Sequence, residues 1–258
     1  MGPWKTKITK VEPNHLVTRG YPQEDLIGSI PFSHVVYLLL RGILPDERQG
    51  KMMDAILTAC IDHGVTPPSA MATRVVASGG VPLPTAVAAG ILSIGDAHGG
   101  AIEKGAAFLQ EGIIRMKQDQ WSFEKTAQIL VVESREKKQR ILGFGHRVHT
   151  ADPRTTRLFD LANTLEISGD HVNLAKAIEV ELKEATGRHL PINVDGAIAA
   201  IISDMGFDWR LGKGFFLMGR VAGLTAQAYE EQTEFKPMRK IFTVDHCYDG
   251  PKEQSIKK

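Results

Sequence analysis

The stretch GFGHRVHTADPR, residues 143–154, is the point from which the fold can be worked out. Its Gly-Phe-Gly opening lets the backbone approach another molecule closely, and His146 follows at once. The Asp152-Pro153 pair near its end predicts a helix start, because aspartate caps helices and proline suits the first helical position. A histidine in a glycine-flanked loop before a helix indicates a binding or catalytic loop.

On both sides of this stretch, apolar residues recur at helical spacing along most of the chain. Glycine and proline interrupt the pattern where helices would end. The spacing predicts helices over residues 32–45, 47–64, 67–80, 82–101, 122–140, 152–166, 169–186, 196–206 and 212–232. A strand pattern is confined to residues 8–21, which we interpret as a short hairpin. The sequence therefore predicts an all-α fold.

The composition argues against several classes of protein. The 258 residues include 31 lysines and arginines against 30 aspartates and glutamates, so nucleic acid is not an expected partner. Cys60 and Cys247 lack the spacing of zinc ligands, and we expect no metal site and two ordinary thiols in a reducing compartment. Because no apolar run has the length of a membrane span, we predict a cytoplasmic protein without membrane contact.

Four stretches place an ionisable side chain beside helix-breaking residues in apolar surroundings. They are IDHG (61–64), GDAHGGA (95–101), GFGHRV (143–148) and PINVDGAI (191–198). Each falls near a predicted helix terminus, where backbone dipoles shift pKa values. A histidine just before a helix start stays neutral and can stabilise a developing enolate by donating a hydrogen bond.

Asp195 allows two interpretations. It precedes a very apolar helix, so its carboxylate could cap that helix. Alternatively, the same position could desolvate the carboxylate and make it a general base. Arg220 interrupts another apolar helix and needs a carboxylate partner, from the protein or from a substrate. Together with Arg154, it would suit a dicarboxylate or tricarboxylate.

These stretches are also where the chain resembles the citrate synthase family. Five blocks occur in that family's order: RGYPQEDLIG (19–28), FSHVVYLLLRGILP (32–45), GDAHGGA, GFGHRVHTADPR and NVDG. The resemblance implies an all-α fold with a large domain and a smaller one, separated by a cleft that closes on the substrate. It places residues 1–102 and 197–258 in the large domain and residues 103–196 in the small one. It also implies a homodimer.

The resemblance assigns a role to each candidate residue. His98, His146 and Asp195 match the catalytic groups, which act on the thioester oxygen, the carbonyl or hydroxyl of the second substrate, and the acetyl methyl proton. The residues that match substrate-carboxylate ligands are His63, Arg154, Arg220 and Lys236. The residues that match the coenzyme A site are Gly143, Phe144, Gly145 and Arg147. The implied substrate is a coenzyme A thioester, with no metal.

Departures from the family pattern favour one branch of it. The chain is shorter than typical citrate synthases, Lys236-Pro237 stands where an Arg-Pro reaches into the neighbouring subunit, and Pro67 replaces an asparagine. Lysine keeps the charge but loses the bidentate fork of arginine. These features favour cleavage of citryl-CoA to acetyl-CoA and oxaloacetate. A citryl-CoA synthetase is a possible partner, and the sequence does not decide whether one binds. The alternatives are a compact citrate or 2-methylcitrate synthase and a catalytically silent subunit that binds coenzyme A.

Overall fold

The structure, a computed structural model, describes residues 4–145, 152–240 and 246–255. Its helices are α1 (Gln23–Leu26), α2 (Phe32–Arg41), α3 (Glu47–Ala59), α4 (Pro68–Ser78), α5 (Leu83–Leu92), α6 (Ala101–Gln118), α7 (Phe123–Glu136), α8 (Pro153–Thr164), α9 (Asp170–Thr186), α10 (Val194–Asp204) and α11 (Gly212–Glu234). Three short strands form an antiparallel sheet in chain order: β1 (Thr9–Glu12), β2 (His15–Thr18) and β3 (Tyr21–Pro22). The predicted all-α class is confirmed, and the predicted hairpin is part of this small sheet.

The helix prediction is wrong over residues 93–118. It extends a single helix over 82–101 and predicts none over most of α6. In the structure α5 ends at Leu92, and α6 begins at Ala101 after a tight turn. The turn contains Gly95 and Gly99, and Gly99 has a φ of 81°, which breaks the helix that the apolar pattern alone suggests.

Helix α10 is buried along almost its whole length and packs against α6, α8 and α9. Ile198, Ile201 and Ile202 are fully buried, and each such side chain contributes about 1.5–3 kcal/mol relative to exposure. A helix that is apolar on every side has to be surrounded by other elements. This packing fixes the first turn of α10, which carries Asp195.

Helix α11 packs against α3, α4 and α5, and two of its glycines allow a very close approach. A Cβ atom on Gly219 would lie 2.5 Å from the Leu57 carbonyl oxygen, and one on Gly223 would overlap the Ile61 carbonyl. The contact brings the intervening Arg220 against the end of α3. None of the helices in the described ranges combines the length and the apolar character needed to cross a membrane.

The predicted division into two domains stays a prediction. Its boundaries, after residues 102 and 196, fall inside α6 and α10. Met53 and Phe215, from the predicted large domain, belong to the same buried apolar cluster as Ile113 and Leu174, from the predicted small domain.

Candidate active site

One cavity of about 350 Å³ brings together five of the eleven site residues that are predicted from the sequence. It lies where the end of α3, the start of α4, the turn before α6 and the first turns of α8 and α10 meet α11. Five of the predicted site residues line it: His63, His98, Arg154, Asp195 and Arg220.

His98 lies in a tight turn that is held by two kinds of contact. The backbone N–H groups of Gly95 and His98 each donate to the other's carbonyl oxygen, at 2.9 and 3.1 Å. The Asp96 carboxylate accepts from Lys104 on α6 and from Lys213 on α11, at 2.8 Å in both cases. The turn is thereby tied to two helices, which fixes the position of His98.

The His98 imidazole is half-buried, and its surroundings favour the neutral form. Burial lowers its pKa, and the charges of Arg220 and His63 lower the pKa further. The ring packs edge-on against Phe216, with 5.5 Å between centroids. Its Nε2 atom lies 2.8 Å from Ser69 Oγ. His98 is therefore suited to donate a hydrogen bond without losing its proton.

Ser69 is a site residue that the sequence analysis misses. It is fully buried in the first turn of α4, and its Oγ also accepts from Arg220 Nη1 at 3.4 Å. A Ser69 hydroxyl that donates to His98 Nε2 would place the His98 proton on Nδ1, whereas the opposite direction would place it on Nε2. The only trace in the sequence is a hydroxyl in a helix of small residues, which packing explains equally well.

Asp195 is the second residue of α10 and does not cap it. The Asn193 side-chain oxygen accepts from the N–H groups of Asp195 and Gly196, at 3.0 and 3.1 Å. The capping interpretation of Asp195 is therefore wrong. Within the described part of the chain, no hydrogen bond reaches the Asp195 carboxylate. Burial raises its pKa, although Arg154 and Arg220 act in the opposite direction, and a carboxylate in this state suits proton transfer.

Arg220 is only 3% exposed. Its Nε donates to the Cys60 carbonyl at 2.9 Å, and its guanidinium lies 4.6 Å from the centre of the Phe216 ring. No carboxylate of a described residue lies within ion-pair distance of it. Burial lowers the pKa of Arg220, and the nearby acidic groups Cys60, Asp62 and Asp195 partly offset that effect. A buried cation whose hydrogen-bond partners are neutral is suited to bind an anion.

Arg154 occupies the first turn of α8 and already has a carboxylate partner. Its Nε and Nη2 donate to the buried carboxylate of Asp152, at 3.1 and 2.8 Å. Arg154 also lines a second cleft of about 730 Å³ between α3 and α8. An anion bound at Arg154 would therefore share the guanidinium with Asp152.

The structure leaves some of the predicted site residues outside this cavity. Lys236 is exposed and follows the end of α11, so at about 1.5 Å per helical residue it lies roughly 20 Å from Arg220 along the helix. Gly143, Phe144 and Gly145 form a loop beside the cavity residue Asn193. Two further predicted residues, His146 and Arg147, lie outside the described residues.

The fold and the cavity together define a class of protein: a helical protein in which one cavity is lined by a carboxylate of raised pKa, an imidazole of lowered pKa and a guanidinium that has no carboxylate partner among the described residues. Such a site is suited to proton transfer on an anionic substrate. The family model for the citrate synthase C-terminal domain matches residues 45–241, and the chain belongs to the citrate synthase family. The resemblance stated from the five sequence blocks is confirmed.

Individual relatives place the chain within this family. Citryl-CoA lyase from Hydrogenobacter thermophilus is 47% identical, with a TM-score of 0.90 over 98% of this chain and 97% of that chain. A variant of ATP citrate lyase from Methanosaeta concilii, in complex with (3S)-citryl-CoA, shares the fold at 24% identity, with a TM-score of 0.83 over 98% of this chain and 42% of that chain. Citrate synthase from Heyndrickxia coagulans is 29% identical over 91% of this chain and 59% of that protein. The chain spans about three fifths or less of the curated relatives it matches.

Proposed function

We propose that this chain cleaves citryl-CoA to acetyl-CoA and oxaloacetate. The observation that carries the proposal is the convergence of His98, Asp195 and Arg220 on one cavity, in which burial lowers the pKa of His98 and raises that of Asp195. The 47% identity to a citryl-CoA lyase, over almost the full length of both chains, supports the lyase over the synthase.

In this mechanism Arg220, Arg154 and His63 bind the carboxylates of the citryl group. His146 accepts the hydroxyl proton, and the bond between the hydroxyl-bearing carbon and the methylene carbon breaks. The electron pair of that bond moves into the thioester, giving the acetyl-CoA enolate. The neutral His98 donates a hydrogen bond to the enolate oxygen, which is typically worth about 3–4 kcal/mol per donor.

Asp195 completes the reaction by giving a proton to the methylene carbon. Its raised pKa favours the protonated form that this step needs, and microscopic reversibility makes it the base in the reverse direction. Gly143, Phe144, Gly145 and Arg147 are proposed to bind the coenzyme. The proposal needs no metal, and within the described ranges no group of three or more histidine, cysteine, aspartate or glutamate side chains is placed to bind one.

A homodimer is part of the proposal, because Lys236 cannot reach the cavity of its own chain. Arg239, the nearby alternative, is occupied by Glu231, whereas no described residue pairs with Lys236. Helix α4 exposes Met71 and Val75 one turn apart, an apolar face that a second copy could cover. A cytoplasmic location and a citryl-CoA synthetase partner stay predictions.

The direct test supplies citryl-CoA and follows oxaloacetate with coupled malate dehydrogenase, while a thiol reagent reports free coenzyme A. The lyase predicts rapid oxaloacetate formation without free coenzyme A. Free coenzyme A together with citrate would indicate a synthase instead. Absence of both products would indicate a catalytically silent subunit that binds coenzyme A.

Subunit mixing tests the role of Lys236. Dimers of Asp195→Asn alone and dimers of Lys236→Ala alone are each expected to be inactive. If Lys236 acts across the interface, a hybrid dimer contains one intact site, with Asp195 from the Lys236→Ala chain and Lys236 from the Asp195→Asn chain. Random mixing in equal amounts then restores about a quarter of the wild-type activity. If Lys236 serves its own chain, mixing restores nothing.

A further inference from the structure

The Asn193 side chain uses both of its ends. Its oxygen caps α10 by accepting from the N–H groups of Asp195 and Gly196. Its amide nitrogen donates to the Gly145 carbonyl at 2.8 Å, in the loop proposed to bind the coenzyme. One side chain therefore bridges the helix that carries the proposed proton donor and the loop that leads to His146 in the sequence.

The backbone on either side reinforces this bridge. Asn193 N donates to the Gly143 carbonyl at 3.0 Å, and Gly145 N donates to the Pro191 carbonyl at 2.7 Å. A Cβ atom on Gly143 would lie 2.7 Å from the Gly196 Cα, so the loop rests directly on the first turn of α10. Contact this close leaves the loop little freedom to move independently of that turn.

Of the side chains that cap helices well, asparagine has a particular advantage here. Serine, threonine and aspartate also supply an oxygen for the N–H groups of a first turn. Only an amide carries both that acceptor and a separate N–H₂ donor on the same rigid group. Capping alone therefore does not favour asparagine, whereas capping α10 and holding Gly145 at the same time does, because a serine or threonine hydroxyl would have to serve both contacts through one oxygen.

We infer that Asn193 is a positioning residue, which fixes the Gly143–Gly145 loop relative to the Asp195 carboxylate. The inference rests on the proposed function for its catalytic consequence, since the loop is proposed to carry the coenzyme and Asp195 to transfer the proton. Misplacement of reacting groups by about 1 Å can cost on the order of 100-fold in rate, so a lost clamp has a measurable effect.

Two variants keep a capping oxygen and lose the amide N–H₂ group: Asn193→Asp, which is isosteric and has no donor, and Asn193→Ser, which is uncharged and whose shorter side chain has one oxygen for both roles. Ser122→Ala is the matched control, because Ser122 caps α7 by accepting from Lys125 N at 3.2 Å and does not line the cavity. We expect Ser122→Ala to lower Tm by about 2–4 °C and to leave kcat for citryl-CoA unchanged. We expect both Asn193 variants to lower kcat by about 10- to 100-fold, with a smaller change in Tm. If Asn193→Ser and Asn193→Asp lower kcat to a similar extent, the negative charge that aspartate adds is not the cause of the loss.

Hydrogen exchange tests the clamp independently of activity. Peptides covering residues 139–145 should exchange faster in Asn193→Ser than in the wild type, and at the wild-type rate in Ser122→Ala. Unchanged exchange in Asn193→Ser, or unchanged kcat in an active enzyme, would overturn the inference. If the wild type itself does not cleave citryl-CoA, the proposed function fails, and the exchange rates still decide whether Asn193 holds the loop.

Discussion

Two arginines on neighbouring helices, Arg74 on α4 and Arg220 on α11, are buried to nearly the same extent but have opposite surroundings. They are 5% and 3% exposed. Arg74 donates to Glu231 at 2.9 Å and to Glu230 at 3.3 Å, and it also contacts Gln227. Arg220 donates to a backbone carbonyl and a hydroxyl, and among the described residues no carboxylate pairs with it.

The carboxylates near the two arginines, Glu231 and Asp195, follow the same division. Glu231 contacts both Arg74 and Arg239, and although burial raises its pKa, these ion pairs outweigh burial and lower it. For Asp195 burial prevails over Arg154 and Arg220, and its pKa is raised. The Arg74 cluster is complete in the free protein and serves the fold. In the cavity the burial of Arg220 is only partly offset by the nearby acidic groups, so under the proposed function the carboxylates of the substrate would complete its surroundings.

The largest expected effect is that of Asp195→Asn. Removing the acid–base group should lower kcat for citryl-CoA cleavage by about 10²- to 10⁴-fold. The same change should stabilise the fold at neutral pH. When the pKa of a carboxyl is higher in the folded state than in the unfolded state, the protein loses stability as pH rises from the unfolded pKa through the folded pKa. An asparagine at the same position does not titrate and causes no such loss. In thermal unfolding experiments from pH 4 to pH 8, the Tm of the variant should rise relative to the Tm of the wild type as pH increases.

Asn163→Ala, on the far face of α8, is a control for this experiment, because Asn163 is exposed and does not line the cavity that holds Asp195. It should keep kcat and show no pH-dependent gain in Tm. A lower Tm of Asp195→Asn at every pH, with activity retained, would contradict the desolvated carboxylate described above.

The Arg74 cluster should matter for stability and not for catalysis. Replacing Arg74 with methionine leaves Glu231 with Arg239 alone, and we expect unfolding to cost about 3 kcal/mol less, near the lower end for a broken buried pair. Activity per folded molecule should stay at the wild-type level. Urea unfolding and active-site titration measure the two quantities, and a kcat loss without a stability loss would reverse the assignment.

Arg220→Met is the matched change in the cavity, with the opposite expectation. It removes a cation that lacks a carboxylate partner, so the free energy of unfolding should change by no more than about 1 kcal/mol. KM for citryl-CoA should rise by about 10-fold or more, because a charge-assisted hydrogen bond to a carboxylate is lost. Equal stability losses in Arg74→Met and Arg220→Met would remove the distinction between the two arginines.

The sequence predicts this contrast only in part. Arg220 stands out because it interrupts an apolar helix, and its need for an anion follows from residue type alone. Arg74 lies in a stretch of small residues and draws no attention, although it is equally buried. Which of the two has a protein carboxylate depends on Glu231 lying beside α4, and that placement depends on how α11 packs across the molecule.

The same limit applies inside the cavity. The family resemblance selects His98 and Asp195, and the structure places both in one cavity. The resemblance does not select Ser69 and does not show that Asn193 is the cap of α10, because both roles depend on which atoms face each other after folding. Helix α6 is missed for a local reason: the turn around Gly95 interrupts an apolar pattern that otherwise continues.

Glu231→Gln gives a smaller, pH-dependent effect with the opposite sign to that of Asp195. A carboxyl whose pKa is lower in the folded state stabilises the protein when the pH is above its pKa in the unfolded chain, which is near 4.5. That contribution is lost as the pH falls through the pKa of the folded state. The wild type should therefore be more stable than Glu231→Gln at pH 7, and the difference should shrink below pH 4.5. A constant difference in Tm between pH 3 and pH 7 would mean that the ion pairs do not control the titration of Glu231.

The smallest effect concerns Cys60, whose carbonyl accepts from Arg220. Burial raises the pKa of its thiol to about 12, with a further contribution from Asp195, so it should not react with a maleimide at pH 7. Cys247 is exposed, so mass spectrometry should find one label on the native protein and two after denaturation. In Arg220→Met, the maleimide should label Cys60 slowly if the guanidinium helps to close the cavity. In Arg74→Met, at temperatures below its unfolding transition, Cys60 should stay unlabelled. Two labels on the native wild type would mean that the cavity opens without a ligand, and the unpaired charge of Arg220 would then be solvated for part of the time.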